Sequence, residues 1–232
     1  MEEKSLVGAG LQAGLKQQLV DAIRMLERAG YIDHNGHCSA RRDADSFYIN
    51  SGASVRGTLT VDDIVSVDLD GTLVEGTAKP PLEYHIHSEI YRARADVNAV
   101  MHTHPQWSTF LSIVGEKYRP VYAQGVLLGN MPVMDSVLSI NTKPMGEKLA
   151  RILERGPAVL LKAHGVVVVG ADVVECFALA AYVEENSYPQ YMAMQIGKPY
   201  EFSENEQKVS REKLWTASLF KKTWDHYRSK IE

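Results

Sequence analysis

The sequence has few cysteines, no long apolar run and no block of like charges. Its two cysteines, Cys38 and Cys176, lie far apart and form no CxxC pair, so we expect a reduced, cytoplasmic protein. The longest nearly apolar run, around Val166–Val169, is far too short to span a bilayer, and the acidic N-terminus shows no signal peptide. The net charge of −4, without a charged block, gives no indication of nucleic-acid or membrane binding.

The rest of the composition is that of an ordinary globular chain. Its 232 residues, 45% hydrophobic and 23% charged, suit one large domain over residues 1–232. Helical periodicity predicts helices over residues 14–29, 82–94, 106–113, 171–194 and 204–228, and another marked by Met145, Leu149, Ile152 and Leu153. Strands are predicted at Cys38–Arg41, Phe47–Ile49, Ile64–Leu69, Thr72–Val74, Ala99–His102, Arg119–Val121, Pro132–Val133, Val159–Lys162 and Val166–Val169. Helices outside a central, largely antiparallel sheet indicate a three-layer α/β/α fold.

Three histidines stand at the ends of short apolar runs. His102 and His104 are separated by one residue at the end of a predicted strand, so their side chains point to the same face. His164 lies between an apolar run and Gly165. Three imidazoles with an open fourth position are typical of a catalytic metal site. Glu83, at the head of the preceding predicted helix, is the candidate acid or base.

Four segments of the chain resemble the class II aldolase/adducin family, which has the fold of fuculose-phosphate aldolases and ribulose-phosphate epimerases. The segments are GHCSAR at residues 36–41, SG at 51–52 followed by LTVDDIVSVDLDG, the Glu83 helix running into HTHP, and KAHGVVVVG. Their order and spacing together are highly specific, although HTH alone is a weak signal. The resemblance extends from about Leu15 to about Gly197.

The resemblance implies one divalent metal ion per subunit, held by His102, His104 and His164, with Glu83 as acid/base or fourth ligand. Zinc or manganese is the expected ion, and histidine ligands also accept cobalt or iron. The family further implies a homotetramer with active sites between neighbouring subunits. In such an assembly the predicted C-terminal helix, 204–228, is a candidate interface element.

The chain departs from the sugar-phosphate members of the family where those enzymes hold phosphate. His37 replaces an Asn, and Pro81-Leu82 replace a Ser-Ser pair, so that only Ser51-Gly52 keep the character of a phosphate loop. We therefore expect a substrate without phosphate. The GHxSxR form and the apolar residue before Glu83 resemble the decarboxylase branch, whose members act on hydroxylated aromatic or heteroaromatic dicarboxylates.

The leading hypothesis is a metal-dependent carbon–carbon lyase. It would decarboxylate a hydroxylated aromatic or β-keto/hydroxy acid through a metal-stabilised enolate. His37 is then a candidate catalytic residue, and Arg56 and Arg41 are candidates for binding a remaining carboxylate in bidentate geometry. Arg56 could equally be a surface charge and Arg41 a structural ion-pair partner. The alternatives are an aldolase or epimerase acting on a hydroxy-ketone or sugar phosphate, and a non-catalytic adducin-like module.

Overall fold

The fold is organised around one mixed eight-stranded sheet. The computed structural model describes residues 2–232, with side chains from residue 10 onward except Leu11. The strands are β1 His37–Arg41, β2 Ser46–Asn50, β3 Ile64–Asp68, β4 Leu73–Glu75, β5 Ala99–Thr103, β6 Val133–Met134, β7 Ala158–Leu161 and β8 Gly165–Gly170. Their order across the sheet is β4-β3-β2-β1-β5-β8-β7-β6. Only the β6–β7 pair is parallel among the pairs described, so the predicted, largely antiparallel sheet is confirmed.

Helices cover both faces of this sheet. They are α1 Glu2–Arg28, α2 Tyr84–Ala93, α3 Gln106–Ile113, α4 Lys143–Leu153, α5 Val173–Ile196, α6 Glu204–Leu214 and α7 Ala217–Arg228. Alternate residues of β8 enter two separate apolar cores, because side chains alternate between the faces of a strand. Val166 and Val168 pack with α1, α5 and α7, whereas Val167 and Val169 pack with α2 and α4. The predicted three-layer α/β/α architecture is therefore confirmed.

The prediction of a strand at Arg119–Val121 is wrong, because side chains of α5 accept the hydrogen bonds of this backbone segment. Asn186 Oδ1 accepts the backbone N–H groups of Val121 and Tyr122 at 2.9 and 3.0 Å. Gln190 Oε1 accepts the N–H of Arg119 at 2.9 Å. Both amide side chains are fully buried. Extended backbone that hydrogen bonds to side chains in this way needs no neighbouring strand.

The predicted helix over residues 204–228 is two helices. Helix α6 ends before Trp215, whose backbone leaves the helical region, and Thr216 caps the start of α7 by accepting the N–H of Leu219. Threonine at this position is a helix-start signal, because its hydroxyl pairs an amide that the helix leaves unpaired. Trp224 and Tyr227 of α7 are buried, whereas Trp215 is 37% exposed.

Helix α1 begins at Glu2, well before the predicted start at residue 14. The side chains of residues 2–9 and 11 lie outside the described part of the chain, so the absence of a signal peptide stays a prediction. None of the helices within residues 2–232 is long and apolar enough to cross a membrane.

An arginine clamp ties the end of α2 to the end of α4. Arg94 donates from Nη1 to the carbonyl oxygens of Glu154 and Gly156, at 2.9 and 3.1 Å, and pairs with Asp96 through Nε and Nη2. Its hydrogen bonds lower the pKa of Asp96 to about 2. The carboxylate of Asp96, which faces solvent, therefore orients the buried guanidinium of Arg94.

We expect Asp96→Asn to destabilise the protein by about 1 kcal/mol at pH 7, a value reduced for the solvent screening of this exposed carboxylate. A carboxyl whose pKa is lowered on folding contributes stability above its unfolded pKa. The loss should thus be constant near neutrality and shrink as the pH falls from 3.8 towards 2. Urea unfolding of both proteins across this range measures it, and an equal deficit at every pH would contradict the assignment.

Candidate active site

The sheet brings the three predicted metal-binding histidines together. His102 lies near the end of β5 opposite Val167 of β8, His104 follows β5, and His164 lies in the turn between β7 and β8. The ring centroids are 4.7 Å apart for His102 and His104, 5.0 Å for His102 and His164, and 5.2 Å for His104 and His164. One ring nitrogen from each lies within 4.8 Å of the others, which is the spacing of ligands around one ion.

Hydrogen bonds fix which ring nitrogens are available to a metal. Nδ1 of His102 lies 3.1 Å from the carbonyl oxygen of Val166, and Nδ1 of His104 lies 3.1 Å from Oδ1 of Asp33. Both oxygens only accept, so each Nδ1 carries the proton. The two Nε2 lone pairs then face each other at 3.0 Å, an arrangement that a cation between them would stabilise. His164 also has a buried Nδ1 without a hydrogen-bond partner among the described residues. This donor set fits a divalent ion.

A strained turn positions His164. Ala163 has a φ of 52°, a left-handed conformation that favours glycine, and its N–H donates to Oγ of Ser112 at 2.9 Å. Gly165 follows because a Cβ there would collide with the carbonyl oxygen of Thr103. The turn thus holds His164 close against the end of β5.

Asp33 was not anticipated from the sequence, yet it orients His104. Burial alone would raise the pKa of Asp33, but hydrogen bonds with His104 and with the backbone of Asn35 lower it. A carboxylate behind a ligating histidine fixes the ring orientation and makes the nitrogen a better ligand.

We expect Asp33→Asn to weaken zinc binding by roughly 10–100-fold, the usual cost of losing such an outer partner. The amide oxygen can still accept from His104, so the fold is retained while the charge is lost. Competition with a zinc-chelating dye measures the affinity, and Asp225→Asn on α7 is the matched control. Equal affinities of Asp33→Asn and the wild type would rule out this role.

Glu83 lies just before α2 and faces the histidines. Its Oε1 accepts the N–H of Ile140 at 2.8 Å, and its Oε2 lies 3.6 Å from Nε2 of both His37 and His102. Burial opposes ionisation, but the contact with His37 and the other surrounding groups outweighs it and lowers the pKa of Glu83. Glu83 is therefore an ionised carboxylate at neutral pH. His37, Glu83 and His102 also form a second group of side chains close enough to bind one ion.

A cavity of about 340 Å³ opens beside Glu83. Polar groups and a short proline-rich segment line it, namely Asn35, Gly36, His37, Gly52, Arg56, Pro80, Pro81, Leu82, Glu83 and Ser139. Two of the predicted substrate-binding residues, Gly52 and Arg56, therefore lie in the same cavity as the two predicted catalytic residues.

Arg56 is a buried cation that faces this cavity. Its side chain is 4% exposed, Nε donates to the carbonyl oxygen of Gly36 at 2.8 Å, and Nη1 donates to the carbonyl and hydroxyl of Ser54. Burial lowers the pKa of Arg56. No carboxylate among residues 10–232 forms a salt bridge with it. A guanidinium oriented by neutral acceptors retains its charge for an anion in the cavity.

The Ser51-Gly52 loop has little capacity left for a phosphate. The N–H of Ser51 donates to the carbonyl of Asp63 at 2.8 Å, and that of Gly52 donates to the carbonyl of Lys79 at 3.0 Å. A Cβ at Gly52 would lie 3.3 Å from the carbonyl oxygen of Pro80, so the proline segment packs directly against this glycine. Two amides of this loop are therefore paired within the protein and are not free to bind a phosphate.

Arg41 does not join the site. It lies at the opposite end of β1 from His37, where its guanidinium donates to the carbonyl oxygens of Val97, Tyr91 and Arg94 at 2.9–3.0 Å. The structure thus favours a structural role over the expected contact with substrate, although the partners are carbonyls rather than the ion pair considered from the sequence.

A buried polar chain behind His37 is the largest feature that the sequence analysis missed. Nδ1 of His37 lies 2.7 Å from Nε2 of His87, Nδ1 of His87 lies 2.6 Å from Oγ of Ser39, and this oxygen lies 2.8 Å from the hydroxyl of Tyr91. Burial lowers the pKa values of both imidazoles. The period of two along β1, which places Ser39 on the same face as His37, was the available signal.

Comparison with known proteins agrees with this architecture. Residues 17–191 match the family described as Class II Aldolase and Adducin N-terminal domain. The L-fuculose phosphate aldolase of Methanocaldococcus jannaschii is 32% identical over 173 residues, covering 74% of this chain and 93% of the relative. The 3,4-dihydroxyphthalate decarboxylase of Arthrobacter keyseri is 29% identical over 187 residues, covering 74% of this chain and 75% of the relative.

A solved structure shows the same fold. The L-fuculose 1-phosphate aldolase from Glaciozyma antarctica PI12 superposes with a TM-score of 0.86 at 22% identity, over 97% of this chain and 91% of that one. The chain thus belongs to the class II aldolase and adducin N-terminal domain family, as the four sequence segments indicated. It is an enzyme of this family, and the aldolases and decarboxylases among its relatives are lyases.

Proposed function

We propose that this enzyme is a metal-dependent decarboxylase of a non-phosphorylated hydroxylated aromatic or β-keto/hydroxy acid. The observation that carries the proposal is the presence in one cavity of Arg56 and Gly52. Arg56 is buried and forms no salt bridge with a carboxylate among residues 10–232, and the amides of Ser51 and Gly52 are already paired within the protein. The first group supports recognition of a carboxylate, and the second argues against a phosphate. The relative named 3,4-dihydroxyphthalate decarboxylase supports the same reaction class.

The residues of the site have different roles in the proposed reaction. Arg56 and His37 hold a carboxylate that the reaction retains, and the burial of both groups strengthens these contacts. His102, His104 and His164 would hold a divalent ion, zinc or manganese first and cobalt or iron next, which would supply a Lewis acid towards the substrate oxygens. Glu83 completes the proton transfers.

Glu83 acts first as a base and then as an acid. It takes the proton of the substrate hydroxyl and returns it to the ring carbon that carries the leaving carboxylate. The bond between that carbon and the carboxylate then breaks, carbon dioxide leaves, and the bonding electron pair restores the aromatic ring. A proton from water restores the hydroxyl.

Aldol cleavage of a hydroxy-ketone or sugar phosphate is the second candidate. It is favoured by the 32% identity to a relative named L-fuculose phosphate aldolase and by the presence of Ser51-Gly52. An aldolase would use the same histidines and Glu83, because breaking a carbon–carbon bond next to a carbonyl also needs a stabilised enolate. The two candidates differ in what the cavity must bind beside the metal.

The test measures carbon dioxide release and aldehyde release in parallel. Purified protein is loaded in turn with manganese, zinc, cobalt and iron, and is offered hydroxylated aromatic dicarboxylates, β-keto acids and sugar phosphates. We expect metal-dependent carbon dioxide release that Arg56→Gln impairs mainly through KM, whereas the control Arg42→Gln does not. Aldehyde from sugar phosphates, without carbon dioxide from any acid, would establish the aldolase instead.

We further propose a homotetramer with active sites at the subunit interfaces and with the C-terminal helices as candidate interface elements. Apolar side chains that are exposed in the single chain support this proposal, because a neighbouring subunit would bury them. Leu82 at the cavity is 80% exposed, and Val137 and Leu138 are 63% and 65% exposed. Light scattering at several concentrations gives the mass, and a monomer throughout would contradict the proposal.

A further inference from the structure

A continuous chain of buried polar groups runs between β1 and α2 and ends at the cavity. It consists of Tyr91, Ser39, His87 and His37, with neighbouring polar atoms 2.6–2.8 Å apart. Each of the four residues is at most 3% exposed. Groups buried this deeply must donate and accept within the protein, since an unpaired one is costly. The direction of each hydrogen bond can therefore be worked out.

The direction is set first at the Tyr91 end. Within the described part of the chain, the Tyr91 hydroxyl has no hydrogen-bond partner other than Ser39. Burial raises the pKa of Tyr91, which keeps its proton in place. If Tyr91 donates to Ser39, the Ser39 hydroxyl is free to donate to Nδ1 of His87. Any other arrangement leaves at least one buried hydroxyl hydrogen without an acceptor.

The remaining hydrogen bonds follow from this one. A neutral imidazole that accepts at Nδ1 carries its proton on Nε2, so His87 donates from Nε2 to Nδ1 of His37. His37 in turn must carry its own proton on Nε2. This nitrogen is buried and has no hydrogen-bond partner within residues 10–232, and it lies 3.6 Å from Oε2 of Glu83. A carboxylate oxygen only accepts, so the negative charge of Glu83 beside this nitrogen favours the same direction.

We propose that Ser39 and His87 are positioning residues that hold His37 in the tautomer with its proton on Nε2. His37 is thereby a hydrogen-bond donor towards the cavity and cannot be a metal ligand through that nitrogen. Of the two side-chain groups that could hold an ion, the one formed by His37, Glu83 and His102 is then excluded. The ion is assigned to His102, His104 and His164.

The consequence for binding rests on the proposed function. The cavity then offers a substrate two groups, the positive charge of Arg56 and the oriented Nε2–H of His37. This N–H selects a substrate that presents an anionic or carbonyl oxygen to His37. Because the substrate keeps this contact throughout the reaction, its loss should raise KM and leave kcat nearly unchanged. This outcome separates positioning of His37 from a general loss of structure.

The decisive experiment determines the His37 tautomer by nitrogen-15 NMR of protein labelled at its histidine rings. We expect the proton on Nε2 of His37 both in metal-free protein and after addition of zinc, whereas the ligating nitrogens of His102, His104 and His164 should shift on zinc addition. A proton on Nδ1 of His37, or loss of the Nε2 proton when zinc binds, would overturn the proposal. No substrate is needed, so this result is independent of the reaction catalysed.

Conservative variants test the row of hydrogen-bonded groups from Tyr91 to His37. Ser39→Ala removes the donor to His87, and we expect His37 to become a mixture of tautomers and KM to rise about tenfold. Tyr91→Phe should act in the same direction, whereas Tyr48→Phe is the matched control because the buried Tyr48 hydroxyl has no hydrogen-bond partner among the side chains that the structure describes. His87→Gln, whose amide can still donate to His37, should retain more activity than His87→Leu. An unchanged tautomer in Ser39→Ala would show that the chain does not position His37.

Discussion

Replacing Glu83 with Gln should lower turnover by roughly 10²–10⁴-fold, the usual contribution of a general acid or base. The change is nearly isosteric, because the amide oxygen can keep the hydrogen bond from the N–H of Ile140. What is lost is the ability to ionise. The amide can neither take the proton of a substrate hydroxyl nor return it to carbon, so the loss should appear in kcat.

Zinc affinity of the same variant separates the two roles that remained open for Glu83. An acid/base residue predicts an affinity within a few-fold of the wild type, whereas a fourth ligand predicts a large loss. Glu89→Gln is the matched control, since Glu89 is a buried glutamate on the same helix that pairs with Arg92 at 3.3 Å, away from the cavity. If both variants lost turnover equally, the effect would be structural and the catalytic assignment of Glu83 would fail.

The second large effect is expected from His102→Ala. His102 is fully buried at the centre of the site, in contact with His104, His164 and Glu83. Losing a residue that only hydrogen bonds to a metal ligand costs up to roughly 100-fold in metal affinity. Removing His102, a ligand itself, should weaken metal binding by more than this. Carbon dioxide release should fall to the level of the metal-free protein. Metal content after dialysis and turnover of the same samples test both statements.

Deleting a fully buried ring also destabilises the protein, so a second variant is needed. His104→Ala should show a comparable loss of metal at a lower cost in stability, because His104 lies at the edge of the site with a 14% exposed side chain. His226→Ala on α7 serves as the control for loss of a histidine outside the site. Full metal occupancy in either His102→Ala or His104→Ala would refute the three-histidine site.

The elements that local sequence predicts well are those whose apolar pattern is complete within a short stretch of the chain. Helix α3 was predicted with the bounds that the structure shows, and β8 differs by one residue at each end. A helix against a core repeats its apolar residues at the helical period, and a strand buried on both faces is a continuous apolar run, so a short window contains the signal in both cases. The failures at Arg119–Val121 and at Trp215 arose where distant side chains or a local cap decided the backbone.

In the active site, too, some features follow from local sequence and others only from the tertiary structure. The sequence determined the family and the pair His102 and His104, because a spacing of two on a strand is local geometry. It also indicated, through His37 and Pro81-Leu82, that the phosphate contacts of the family are altered. These inferences needed no knowledge of what packs against each segment.

Tertiary structure alone decided what each polar group is paired with. Arg41 and Arg56 are both arginines near the first motif, yet the guanidinium of Arg41 is taken up by three carbonyls away from the site. Arg56 lines the cavity and forms no salt bridge with a carboxylate among residues 10–232. Asp33 behind His104, and the chain from Tyr91 to His37, join residues that are distant in sequence. Hydrogen bonds depend on distances of a few tenths of an ångström between such residues, and only the packed sheet and helices fix those distances.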